Sequence, residues 1–316
     1  MGARADESGG QSLSDTIARG AETGSAGLPA DAFETAYGQV REPKKPTGVW
    51  YPEGSEDRIV ARFRALGVDV RPCVIDPADY ARYVTAARYE KDYPGYYAFN
   101  RPEKSLEHYL AATLLRLGKE DVYIDVASEQ SPVPEIYRRL FGVRAYRQDL
   151  AYPPGLRGDR IGGDAANMPV PDAFATRMAL HCSFEHFEGE ADIGFVREIR
   201  RVLRPGGAVC VVPLYLCEEY AIQADPEIAV PAGVAFEADA TVYCARGWGN
   251  RHGRFYDPDH LVSRVLGNAR DMRIEIYRVV NAEAVDPSCY VRFAMLIRKS
   301  PEAVDAAHGA RRVTRA

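Results

Sequence analysis

Three stretches of the chain carry side chains whose type and spacing could do chemistry. The first, DVYIDVASEQSP, reads as a short buried strand, Val122 to Val126, with an acidic residue, Asp125, near its end. A small-residue turn and a helix starting near Pro134 follow. The carboxyl end of a parallel strand, beside a helix N-terminus, makes a ligand crevice. The second stretch, Val143 to Gln148, reads as another strand and is closed by Asp149. A carboxylate there can accept hydrogen bonds from both hydroxyls of a ribose. The other reading of Asp149 is a turn aspartate satisfied by nearby backbone. The third stretch, YCARGWGNRHGRFYDPDH, gathers Arg246, Trp248, Asn250, Arg251, His252 and Tyr256, a set able to bind a polar or ring-shaped molecule. His252, flanked by glycine and arginine, is placed to take a proton there, since an unperturbed imidazole titrates near pH 6.5, to about a unit.

The elements that must position these groups are legible from periodicity. Ile193, Val196, Ile199 and Leu203 recur at helical spacing, Arg204-Pro205-Gly206-Gly207 stops the helix, and the apolar run Ala208 to Leu214 follows. A helix feeding a buried strand is half of a parallel crossover. Tyr215 to Phe255 is too long for a simple connection and reads as a substrate lid, about 215–256, to which Tyr215 also belongs. An insertion that packs on the core or makes a dimer contact is the alternative. Asp257-Pro258 restarts a helix through Leu266. Arg273 to Val279 and Tyr290 to Ile297 then read as two strands whose short connection makes them antiparallel. Upstream, Ser55 can cap a helix bearing Ile59, Phe63 and Leu66 and ending at Gly67. A second helix runs from Asp76-Pro77 to about Arg88. The cluster Tyr89, Tyr93, Tyr96, Tyr97 and Phe99 precedes an amphipathic helix marked by Leu106, Tyr109, Leu110, Leu114 and Leu117. These helices make a cap over about 46–118.

Composition bounds the function. The 316 residues, 46% hydrophobic, suit one large α/β domain with appendages, and the net charge of −5 comes without a basic stripe. Nucleic acid is therefore not an expected partner. No apolar run has the length of a membrane helix and no short apolar core follows a basic N-terminus, so a cytoplasmic protein without a membrane partner is expected. The six cysteines form no CxxC pair, which argues against a zinc knuckle or a disulfide framework, and no metal cluster is visible. Residues 1–45, rich in Gly, Ala and Ser, read as a loose arm with a short helix around Ala30 to Tyr37, and 301–316 as a frayed tail.

In order along the chain, GDAANMPVPD, FEHFEGEAD and RVLRPGGAVCVVP resemble the segments that follow the third, fourth and fifth strands of class I S-adenosylmethionine-dependent methyltransferases. The similarity covers roughly Tyr97 to Lys299. It implies a Rossmann-like fold over about 119–300, mostly parallel with an antiparallel last strand. The missing GxGxxG fingerprint agrees, setting the chain apart from nicotinamide-binding domains. By the resemblance, Asp125, the loop Ala127, Ser128, Glu129, and Tyr97 belong to the cofactor site, the loop touching the methionine part of S-adenosylmethionine and the helix after Tyr97 covering it. Asp149 takes the ribose, Asp164 faces the adenine amine, and the backbone of Ala165 lies beside the ring. His181 and His186, at the fourth strand end, face the transferred methyl as acid-base or orienting groups. For His186, a loop lock through backbone hydrogen bonds is the other reading. The family's loop glycines are replaced by Ala127, Glu129 and Ser131, so the loop is expected to take another path with binding kept. The implied reaction is methyl transfer to an oxygen or nitrogen of a small polar acceptor, in a protein that could form a homodimer. Cyclisation or elimination with the same cofactor, and a non-catalytic binding subunit, are the alternatives.

Overall fold

The structure, a computed structural model, describes residues 52–301, so the arm, the helix around Ala30 to Tyr37 and the tail beyond Pro301 lie outside the described residues. Helix α1 (Ser55–Ala65) starts the described chain. Its N-cap is Gly54 at φ 76°, not Ser55: the left-handed turn at the glycine makes Ser55 the first helical residue, and its hydroxyl caps nothing. Strand β1 (Val70–Cys73) follows, then α2 (Pro77–Ala87), whose N-cap is Asp76 as expected, the carboxylate accepting from the amides of Ala78 and Asp79. The single turn α3 (Tyr89–Asp92) leads to α4 (Arg101–Leu115).

The sheet is then built by β2 (Val122–Val126), α5 (Val133–Phe141), β3 (Arg144–Asp149), the short β4 (Gly155–Arg157) and β5 (Arg160–Gly162), and β6 (Ala175–His181). Helix α6 (Ala191–Val202) feeds β7 (Leu203–Val212). Here Arg204-Pro205-Gly206-Gly207 is no separate turn. The strand begins at Leu203 and swings outward through these residues, with an irregularity in its register against β6. An insertion of β8 (Ala221–Ala224), α7 (Pro226–Ala232), β9 (Thr241–Cys244) and β10 (Gly253–Phe255) forms its own three-stranded sheet. Helix α8 (Pro258–Arg264) and the strands β11 (Met272–Val279) and β12 (Phe293–Lys299) complete the described chain.

The main sheet has nine strands in the order β1-β11-β12-β7-β6-β2-β3-β5-β4. From β7 through β6, β2 and β3 to β5 it is parallel, while β12 lies antiparallel to both β7 and β11. This is the expected α/β Rossmann-like sheet with an antiparallel last pair. The all-helical cap over 46–118 is corrected by β1, which pairs parallel with β11 at the sheet edge. Pro72 is tolerated there because an edge strand leaves one side of its ladder unpaired. Helix α4 differs as well: residues 105–112 are buried, polar Ser105, Glu107 and His108 among them. From β2 the chain moves outward to β3 and β5, then returns to β6 on the other side of β2. The strand order therefore reverses between β2 and β6, where ligands bind in open α/β sheets. Among the described residues, no helix is long and apolar enough to cross a membrane.

Candidate functional site

A cavity of about 210 Å³ opens at that reversal. Its walls are the loop from Asp125 to Ser131, the strand end His181 and Cys182, and two side chains of the N-terminal segment, Tyr96 and Lys104. Ala127, Ser128 and Glu129 line it, and their backbone answers the question of the missing glycines. Ala127 sits at φ 51° and Glu129 at φ 46°, so the loop adopts the left-handed conformation that glycine favours rather than an alternative route. The end of β3 holds it there. The amide of Ala127 donates to Gln148 Oε1 at 3.1 Å, that of Ser128 to the Gln148 carbonyl at 2.9 Å, and that of Glu129 to Asp149 Oδ2 at 2.7 Å. The Tyr152 hydroxyl donates to the Glu129 carbonyl.

Asp125 is buried, accepts from the Tyr123 hydroxyl at 3.0 Å through Oδ1, and leaves Oδ2 without a hydrogen-bond partner. Burial pushes its pKa up to about 7. The unpartnered oxygen fits a cationic ligand, as the sulfonium and ammonium of S-adenosylmethionine are. Lys104 supplies the opposite charge. Its ammonium reaches both oxygens of the buried Glu107, at 3.0 and 3.3 Å. Burial alone would lower its pKa, but Cys182, Glu107, Tyr96 and Tyr290 around it hold it well above the ordinary value. An ammonium in this wall could hold the carboxylate of a methionine end.

The two other carboxylates are placed at strand ends but do not line the cavity. Asp149 accepts from Glu129 and Ala151 amides, one on each oxygen, which is the backbone-satisfied reading, although each oxygen keeps a lone pair for a ribose hydroxyl. Asp164 is exposed and accepts from the Ala166 amide at 2.8 Å, with Ala165 buried beside it. Tyr97 departs from expectation: it is buried in the tyrosine cluster, its ring 4.3 Å from Tyr89 and its hydroxyl 3.1 Å from His108 Nδ1. Its neighbour Tyr96 lines the cavity instead.

The histidines separate into two groups. His181 lines the cavity, with Nε2 3.2 Å from the Tyr123 hydroxyl, and burial lowers its pKa to about 3. It is a neutral wall rather than a ready base. His252, the expected base, is 1% exposed and absent from the cavity wall. Its Nδ1 lies 3.2 Å from the Glu185 carbonyl, and burial lowers its pKa to about 3, well below a useful base at neutral pH. His186 Nδ1 lies 2.6 Å from the His252 carbonyl, which is the loop-lock reading.

The polar-aromatic stretch is likewise committed to the fold. Arg246 pairs with Glu227, Arg251 with Glu188, and the buried Tyr256 donates to Asp192 at 2.7 Å. Trp248 packs against His186 and so closely over Gly253 that no Cβ would fit there. Arg254 is fully buried, donating to the Tyr220 hydroxyl and the carbonyls of Phe187 and Gly189, with Asp192 and Glu237 as counter-charges. Of the expected substrate residues only Tyr215 approaches the cavity, its hydroxyl 3.4 Å from Cys182 Sγ. Lys104, Tyr96 and Cys182 were not singled out from sequence. The sequence signal that existed for Lys104 was its i,i+3 spacing to Glu107 on α4, the pair that the structure forms.

Residues 135–211 match the family model described as a methyltransferase domain. No curated protein matches the chain in sequence. Among solved structures, the chain is similar to Burkholderia thailandensis 1,6-didemethyltoxoflavin-N1-methyltransferase with bound 1,6-didemethyltoxoflavin and S-adenosylhomocysteine. Identity is 14%, covering 73% of this chain and 93% of that one, with a TM-score of 0.44. The CcbJ methyltransferase from Streptomyces caelestis is 13% identical over 72% of this chain and 100% of that one, TM-score 0.41. The [4+2]-cyclase SpnF is 15% identical over 61% of this chain and 80% of that one, TM-score 0.37. The methyltransferase-domain match at 135–211 and the Rossmann-like sheet order built around it make the chain similar to class I S-adenosylmethionine-dependent methyltransferases, a match that supports S-adenosylmethionine as the cofactor.

Proposed function

We propose that the protein transfers the methyl group of S-adenosylmethionine to an oxygen or nitrogen of a small polar acceptor in the cavity between the ends of β2 and β6. The observation that carries this reading is the juxtaposition of an unpartnered, buried Asp125 oxygen and the Lys104 ammonium on opposite-charge duty in one cavity wall. When bound, the cofactor supplies an electrophilic methyl for in-line displacement. The chain's own residues position it: Asp125 and the loop through Glu129 hold the methionine end, Lys104 takes its carboxylate, and Asp149 and Asp164 receive the ribose and adenine. The acceptor would approach past Cys182 and Tyr215. Exclusion of water and proximity then contribute most of the rate, since His186 and the insertion's His252 are tied to backbone.

Methyl-deuterated S-adenosylmethionine, offered with a panel of small phenols, carboxylates and amines, tests this by mass spectrometry. Transfer of the labelled methyl to an acceptor with release of S-adenosylhomocysteine is expected. An unmethylated rearranged product, or cofactor breakdown without transfer, would replace it with the cyclisation or elimination chemistry.

A further inference from the structure

Beneath the cofactor cavity, α4 and the end of β6 bring together three metal-ligating side chains that lie far apart in sequence. Glu107, His108 and His181 each offer a donor atom, and these atoms lie within 4.8 Å of one another. All three side chains are buried or nearly so, His181 at 5% exposure.

Both imidazoles have one nitrogen engaged and the other idle. Nε2 of His181 faces the Tyr123 hydroxyl at 3.2 Å, and that hydroxyl itself donates to Asp125, so it must accept from the Nε2–H. This fixes the tautomer and leaves Nδ1 of His181 as a bare lone pair, buried without a partner. Nδ1 of His108 faces the Tyr97 hydroxyl at 3.1 Å, and its Nε2 is likewise buried without a partner. Two orphaned imidazole nitrogens are costly in a protein interior unless something is meant to meet them. Orientation of each ring by a hydrogen bond on its far nitrogen is the arrangement that metal-bound histidines show.

The charge around the site points the same way. Glu103, Glu107, Asp125 and Glu185 are buried in this part of the molecule, and Glu103, Asp125 and Glu185 each carry an oxygen without a partner. Lys104 neutralises Glu107, whose oxygens retain lone pairs beyond those it takes.

We propose that Glu107, His108 and His181 bind one first-row divalent transition ion of the Zn²⁺ type. Two imidazoles with one carboxylate suit Zn²⁺, Fe²⁺ or Ni²⁺ and not the oxygen-preferring Mg²⁺ or Ca²⁺. Ligands about 2.0 to 2.1 Å from a tetrahedral ion lie roughly 3.4 Å apart, so the loosest pair must close by up to about 1.4 Å on binding. Three protein ligands leave a fourth position for water or a ligand atom. Because His181 also belongs to the cavity wall, the ion would stand next to the cofactor site.

The test uses the full chain, freed of metal with a chelator and titrated with Co²⁺ under anaerobic conditions. One equivalent bound, with the intense visible absorption of a tetrahedral ion that Zn²⁺ then abolishes, is the expected result. His108→Gln and His181→Gln should each weaken Co²⁺ binding by at least about a hundredfold, the upper range for loss of a merely orienting partner. Tyr97→Phe, which removes only the orienting hydroxyl, should weaken it by about tenfold. Circular dichroism confirms that each variant is folded, and a variant that does not fold is set aside in favour of the wild-type stoichiometry and spectrum. Absence of stoichiometric binding to the wild type, a weak octahedral spectrum, or unchanged binding in both folded histidine variants overturns the proposal. These readouts are independent of methyl transfer, so they stand whatever reaction the cavity performs.

Discussion

His186 and His252 are crossed: the ring of His186 meets the backbone carbonyl of His252 at 2.6 Å, while the ring of His252 meets the carbonyl of Glu185, next to His186, at 3.2 Å. The two histidines thereby fasten the insertion to the segment that follows β6. A sequence in which both looked like candidate acid-base groups uses them as a clasp.

The clasp gives stability a pH signature. His252 has its folded pKa lowered to about 3 by burial, so its contribution is full above the ordinary histidine value and is lost as pH falls from there toward 3. His252→Phe lacks this proton site. The stability gap between wild type and His252→Phe should narrow on acidification by about 1.4 kcal/mol per pH unit below about pH 6.5. Urea unfolding at pH 7, 6 and 5 reads the gap; a gap independent of pH would mean that His252 is exposed to solvent in the native state.

Arg254 should be the most sensitive position of the insertion. It is 0% exposed and ties Asp192 of α6 and Glu237 of the insertion to carbonyls of the loop at Phe187 and Gly189. Removing one partner of a buried charge network leaves the others uncompensated, at a cost of about 3 to 5 kcal/mol. Arg254→Met should lower stability by that order in chemical unfolding, with Arg246→Met, at an exposed pair, within about 1 kcal/mol of wild type. Equal effects would contradict the burial contrast.

The start of the sheet was legible because a parallel strand buried on both faces is a short, largely apolar run, as at Val122–Val126, and because Asp76 and Asp257 announce their helices. Strand β1 was not, since Val70-Arg71-Pro72-Cys73 carries a charge and a proline that only an edge tolerates. The site was half legible. Asp125 and its loop follow from chain position relative to a strand, which sequence shows. Lys104, Glu107 and His108 lie among the leucines of α4, and their burial is decided by what packs on that helix, which periodicity does not report. Conversely, the richest polar stretch, Arg246 to Tyr256, proved to be paired internally, because ion pairs across the insertion depend on tertiary contacts.

Asp149 ties the β2 loop to the end of β3, accepting from the Glu129 amide and from the Ala151 amide beyond β3. Asp149→Ala removes the acceptor that offsets the left-handed φ of Glu129, and with it the expected ribose contact. Loss of a charge-assisted hydrogen bond is worth about 1.5 to 3 kcal/mol, so S-adenosylhomocysteine affinity should fall about tenfold to a hundredfold by calorimetry. Asp164→Ala should fall by a similar factor without loss of stability, because its carboxylate supports only its own turn. Unchanged affinity in both would place the nucleoside elsewhere.

Lys104 allows the methionine end to be tested apart from the nucleoside. It is the ammonium in the cavity wall, and its Glu107 partner already has its pKa raised to about 8, chiefly by burial. Lys104→Met keeps the length of the stem and removes the charge; Glu107 can then stay protonated at neutral pH, so the variant should fold. S-adenosylhomocysteine, which carries a carboxylate, should bind the variant about tenfold to a hundredfold more weakly, the value of one charged hydrogen bond. Adenosine has no carboxylate and should bind wild type and variant alike. The comparison separates contact from scaffold: a loss confined to S-adenosylhomocysteine means that Lys104 touches the methionine end. An equal loss for adenosine means that Lys104 supports the cavity through Glu107, and that the carboxylate is held by another group.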